Sequence, residues 1–147
     1  MDILHKATLV QERKYEDIHV GDKALFSHTI TNEDIQTFAT LTGDVNPIHL
    51  LDDFAKDTIF KERIAHGMLV SSYISTILGT DLPGKNTIYL SQSVSFKAPV
   101  KINDTITVVV EVLTKRDDKK IVTLQTNVYN QHDTLVVEGT ASIKKLG

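Results

Sequence analysis

Between Gly67 and Leu78 the chain places Met68, Leu69, Val70, Tyr73, Ile74, Ile77 and Leu78 at helical spacing, on more than one face and with no charge among them. A helix so apolar cannot leave a broad side in water and has to be covered. Its polar members, Ser71, Ser72, Ser75 and Thr76, are small, and in a buried helix their hydroxyls need acceptors. Asp81-Leu82-Pro83-Gly84 ends the run, and the strands beyond it supply the cover. Ile88, Leu90, Val94 and Phe96 alternate with Tyr89, Ser91, Ser93 and Ser95, the period of a half-buried strand, which Pro99 stops. Three more alternating runs come after it: Ile106, Val108, Val110 and Val112; Val122, Leu124, Thr126 and Val128; Val137, Gly139, Ala141 and Ile143. Asp117-Asp118-Lys119 and the Asn130 to Asp133 stretch supply hairpin turns between them.

Upstream the pattern is thinner. Residues 1–20 are mixed, and a turn at His19 to Asp22 precedes the first strand, Ala24 to Ile30. Thr31 or Asn32 then caps a helix with Glu33 and Asp34 in its first turn and Ile35, Phe38, Ala39 and Leu41 along its length, and Gly43 closes it. A loop from Asp44 to Leu51 and a short helix around Asp53 to Asp57 complete the connection. One strand, then helices, then four consecutive antiparallel strands make an α+β protein whose longest apolar helix lies against one sheet face.

A chain of 147 residues with 41% hydrophobic and 24% charged residues suits one globular domain, residues 1–147, with a sizeable core. A net charge of −3 offers nothing to nucleic acid, and no basic block suggests a membrane surface. The absence of cysteine excludes disulfides and thiolate zinc sites. With no signal-peptide core in MDILHKATLVQERKYED, and no run near the ~18 apolar residues that span a bilayer, a cytoplasmic location is expected.

The chemistry concentrates in GDVNPIHLLDDFAKDTIFKERIAHG, Gly43 to Gly67. Asp44 and His49 flank a turn stiffened by Pro47, with Asn46 held extended ahead of the proline. His66 and Gly67 open the apolar helix. The stretch thus combines an acid, a base and a helix N-terminus, whose unpaired amides and macrodipole favour negative charge.

TGDVNPIHL, RIAHGMLVSSYIS and IYLSQSVSFKAPVKINDTI together resemble the (R)-specific enoyl-CoA hydratases of the MaoC-like dehydratase family, from about Lys14 through the final strand. The resemblance implies a hot-dog fold, a sheet wrapped around a single central helix, which periodicity alone does not select. It implies Asp44 and His49 as the catalytic pair, Gly67 as the amide that polarises the thioester, and Ser75 as a serine near the same site. It also implies a homodimer with sheets joined edge to edge and the acyl tunnel near the subunit interface. The acyl-CoA thioester would be the substrate, and no cofactor or metal would be needed. Hydration of an enoyl thioester asks for a base to take a proton from water, an acid to protonate C2, and a donor for the charge on the thioester oxygen. Asp44, His49 and the Gly67 N–H supply those three functions.

One departure stands out: the family has an acid two places after the catalytic histidine, where this chain has Leu51, with Asp52 one step later. Plainer readings also exist for each residue. Asp44 can bond a turn amide, Asn46 can position the loop, His66 can cap the helix or bond the loop, Gly67 can be a packing glycine, and Ser75 can bond back to its own helix. Asp44, His49 and Asp52 match no recognised metal-ligand spacing. Three other functions fit the same scaffold: dehydration of 3-hydroxyacyl groups on acyl carrier protein, thioester hydrolysis, and acyl-thioester binding without turnover. Leu69, Tyr73, Ile77 and Leu82 are the expected tunnel lining.

Overall fold

The computed structural model describes residues 2–147. In chain order it contains α1 (Ile3–Thr8), a 3-10 turn at Tyr15–Asp17, β1 (Lys23–Thr29), α2 (Asn32–Thr42), α3 (Pro47–Leu50), α4 (Asp52–Ala55), α5 (Gly67–Thr80), β2 (Thr87–Phe96), β3 (Thr105–Arg116), β4 (Ile121–Tyr129) and β5 (Leu135–Lys145). The strands form one antiparallel sheet in the order β1-β3-β4-β5-β2. Helix α5 touches all five, which is the hot-dog arrangement. Among the described residues no helix is long and apolar enough to cross a membrane.

The core follows from the alternation. Ile106, Val108, Val110 and Val112 on β3, Val122, Leu124 and Val128 on β4, and Ile143 on β5 are fully buried and face the Leu69, Val70, Ile74, Ile77 and Leu78 side of α5. The helix departs from the expectation of burial all round. Met68, Ser72, Ser75 and Gly79 form an outward stripe, with Met68 60% exposed. Ser72 Oγ donates to the Leu69 carbonyl at 2.6 Å, the bond back along the helix that a small hydroxyl can make, whereas Ser71 Oγ is buried without a partner.

Strand β2 also departs from expectation. It is half-buried in its alternation but not in space: Ile88, Leu90 and Phe96 are 44%, 48% and 55% exposed. The reason is its place at the sheet edge, where it pairs with β5 alone beside a bulge between Tyr89 and Ser91, and α5 meets it without enclosing these side chains. The first strand begins at Lys23, one residue early, and Thr31 is the cap of α2, in a capping box with Asp34. Helix α1 is not expected from the sequence; Asp2 caps it, its carboxylate accepting the His5 N–H, and it buries no residue. Part of the Asp44 to Leu51 loop winds into α3 because Pro47 sits at its first position, and the next short helix runs from Asp52 to Ala55.

Because α5 is the core's centre on one side only, truncations along it should separate. Ile74→Ala should cost about 2–5 kcal/mol in urea unfolding, and Met68→Ala less than about 1 kcal/mol. Equal losses would contradict the packing.

Candidate active site

The left-handed Gly43, φ 82°, closes α2 and turns the chain into the loop. Asn46 caps α3, its Oδ1 accepting the Ile48 N–H at 3.2 Å, which fits a loop-positioning role. Asp44 Oδ1 accepts the Asn46 N–H at 3.3 Å, so the turn-amide bond is present. That bond is long and occupies one of several lone pairs, leaving the exposed carboxylate free to take another partner.

His49 is buried, and its Nδ1 lies 2.7 Å from the carbonyl oxygen of Ile64. A carbonyl can only accept, so Nδ1 carries the hydrogen, and in the neutral ring Nε2 is a bare lone pair. Burial holds the imidazole below its ordinary pKa of 6.5, against the opposing pull of the Ile64 bond, while nearby His66 lowers it further and Asp44 raises it. The ring is therefore neutral at neutral pH and able to accept a proton at Nε2.

His66 closes the cluster. Its ring stacks on His49 with centroids 3.8 Å apart and meets the Phe38 ring at a tilt of 58°, centroids 4.9 Å apart. It makes no capping bond to α5; its Nε2 donates instead to the Asp44 carbonyl at 2.9 Å, so of its two expected uses the loop bond is the one formed. His66 Nδ1 is left buried and unpartnered. Asp44, His49 and His66 each offer a ligand atom within 4.8 Å of the others, as a metal triad would. The stacking argues against one. A cation bound by two imidazoles lies in both ring planes, about 2.0–2.1 Å from each nitrogen, and rings stacked 3.8 Å apart and inclined by 27° have no common in-plane point so close.

Asp44, His49, His66 and Gly67 line one cavity of about 450 Å³, walled by Phe60, Met68 and Phe96. Gly67 is the first residue of α5, so its N–H has no intrahelical partner. A Cβ there would stand 2.6 Å from the half-exposed Phe96 ring, which would have to shift to admit a side chain. Ser75 is not gathered in. It lies two turns along the outward stripe and lines a neighbouring cavity with Ser71, Ser72 and Gln92, the two cavities meeting at Met68. Leu69, Ile77 and Leu82, expected to line a tunnel, are core residues and line neither. Arg63, which opens the RIAHGMLVSSYIS stretch but has no role there on sequence grounds, is a buried cation whose Nε donates to the His49 carbonyl at 2.7 Å. Asp52 approaches it, with Oδ1 3.8 Å from Arg63 Nη1.

Comparison with known proteins bears on the same region. Residues 17–133 match the family described as MaoC like domain. The chain is 46% identical over 129 residues to the (R)-specific enoyl-CoA hydratase of Rhodospirillum rubrum, covering 88% of this chain and 89% of that one. It is 45% identical over 129 residues to the (R)-specific enoyl-CoA hydratase of Aeromonas caviae, covering 88% and 96%. Among solved structures, the unliganded R-hydratase of Pseudomonas aeruginosa superimposes with a TM-score of 0.89 at 46% identity, covering 92% of this chain and 87% of that one.

His49 should titrate with a midpoint below 6.5 in the folded protein when its ring is followed by NMR. The unfolded chain then takes up the proton first as pH falls through about 6.5, so stability is lost on acidification across that window and is fully present above it. A His49→Gln variant should lose less stability over the same window in urea unfolding. An identical pH slope, or a midpoint above 6.5, would contradict the assigned environment.

Proposed function

The chain belongs to the MaoC-like domain family, and from that premise we propose that it is a hydro-lyase that reversibly hydrates a trans-2-enoyl-CoA to the (R)-3-hydroxyacyl-CoA. The observation that carries the proposal is a carboxylate, a neutral imidazole and a helix N-terminal glycine lining a single cavity. In this reading a water is held between the Asp44 carboxylate and His49 Nε2. His49 takes one proton as the oxygen bonds to C3, and the C2=C3 electron pair moves toward the thioester, whose oxygen gains charge. The Gly67 N–H, reinforced by the α5 dipole, stabilises that oxygen. The imidazolium returns its proton to C2, and the sum is H and OH added across the double bond. A depressed His49 pKa serves both halves, since the ring is free to accept at neutral pH and its conjugate acid is a stronger donor.

No metal or redox group enters the scheme, the CoA thioester being the substrate. Asn46 and His66 hold the loop rather than reacting, through their bonds to Ile48 N–H and the Asp44 carbonyl. Ser75, in the adjoining cavity, is assigned to the substrate's passage, not to the bond-making step. The exposed apolar edge formed by Ile88, Tyr89, Leu90 and Phe96, beside the outward Met68, supports a homodimer with the two β2 strands paired.

Loss of the conjugated enoyl absorbance and the chirality of the product test the reaction, with the same acyl group supplied on CoA and on acyl carrier protein to identify the carrier. The (R)-hydroxyacyl-CoA is expected, without release of free thiol. Asp44→Asn and His49→Ala should each lower kcat by about 10²–10⁴, and full turnover by the double variant would reject the assigned roles. For the dimer, sedimentation should give twice the chain mass, and Leu90→Glu on the exposed edge should yield monomer; a wild-type monomer would reject the pairing.

A further inference from the structure

We infer that Arg63 is a positioning residue for His49, setting the rate of the reaction proposed above through the main chain without touching substrate. Its effect on rate rests on that reading; its hold on His49 rests on geometry alone.

Helix α3 has four residues, too few to be stable alone, and its last carbonyls have no partners within it. The His49 carbonyl is one of these, and Arg63 Nε donates to it at 2.7 Å in a bond sealed from solvent. Two positions hold both ends of His49. The Arg63 side chain takes its carbonyl, and the next residue, Ile64, takes its ring through the Ile64 carbonyl at 2.7 Å. The Ile64 N–H adds a third tie, donating to the Ile48 carbonyl at 3.3 Å.

The clamp is itself anchored. Ile64 bridges Lys101, and the Ala65 N–H donates to the Val100 carbonyl at 2.7 Å, joining the segment to the chain that leads into β3. From its other end the guanidinium donates through Nη2 to Asn32 Oδ1 at the start of α2. Its nearest carboxylate is Asp52 Oδ1, 3.8 Å from Nη1 and 87% exposed, a contact too wet to hold the cation by charge alone. The planar fork therefore works as a spacer fixing the distance from α2 to the His49 carbonyl. Lysine, a point donor, cannot span both acceptors. Leu51, where the sequence departs from the family pattern, points outward, 57% exposed, and it is Asp52, one residue later, that approaches the clamp.

The test uses the full chain with Arg63→Met, Arg63→Lys and Asn32→Ala. A slipped imidazole costs turnover more than binding, so Arg63→Met should lower kcat by about 10² with KM within about threefold. Arg63→Lys should fall between Met and wild type, about tenfold down. A second readout does not need turnover: the ring ¹⁵N spectrum of His49 should show one tautomer, hydrogen on Nδ1, in wild type and a mixture in Arg63→Met. If Arg63→Met does not fold, Asn32→Ala, a change at an exposed residue, should still loosen the tautomer and lower kcat. Unchanged kcat and an unchanged His49 spectrum in the folded variants overturn the inference, as does a fall in kcat with the spectrum unmoved. Should wild type fail to hydrate any enoyl-CoA, the hydratase reading falls, and the His49 spectrum alone decides the role of Arg63.

Discussion

The apolar side of α5 has to be buried, and that constraint governs the rest: five strands meet that side, the helix's outward stripe stays open, and its N-terminus emerges at a cavity with the amide of Gly67 unpaired. The cavity beside that helix end is walled by apolar side chains, Phe60, Met68 and Phe96 among them. Gly67 sits where the core and the cavity meet, and a Cβ there would press on the Phe96 ring.

The loop that faces this helix end is assembled from short pieces, none stable alone. Asn46 caps α3, His66 bonds the Asp44 carbonyl, and residues 63 and 64 hold His49 by its carbonyl and its ring. Each bond satisfies a backbone group that a four-residue helix or a bent loop would leave empty, so the geometry around His49 is over-determined by ordinary hydrogen-bond demand. The tautomer of His49 follows without any catalytic assumption, because the Ile64 carbonyl can only accept. The stacked His66 then keeps one side of that ring covered and dry.

What can be read from the chain divides along physical lines. Strands β3 to β5 and α5 are legible because their apolar period coincides with real burial, as at Val108, Leu124 and Ile74. Strand β2 carries the same alternation, yet Ile88, Leu90 and Phe96 stay largely exposed although α5 meets the strand, since a period reports that a face is apolar and not how fully it is covered. Helices α1 and α3 are too short to repeat a pattern. At the site, Asp44, His49 and Gly67 are visible through the proline-bent loop and the helix start, and they do share a cavity. The sequence puts Ser75 on the right helix but not on its outward stripe, because the run has apolar residues on several faces and does not mark the open one. Arg63 falls within the RIAHGMLVSSYIS motif yet its role is not legible, as a charged side chain announces neither its burial nor that its partners come from three separate segments.

In the proposed mechanism one compact cluster, whose Asp44, His49 and His66 atoms lie within 4.8 Å of one another, would supply both the hydroxyl and the proton from a single side of the acyl group. Hydration of a trans-2-enoyl-CoA in deuterated water, with the relative configuration at C2 and C3 of the product read by NMR, decides whether it does. Syn addition is expected, deuterium and hydroxyl entering on the same face. Anti addition would require groups on opposite faces and would contradict the single-sided cluster.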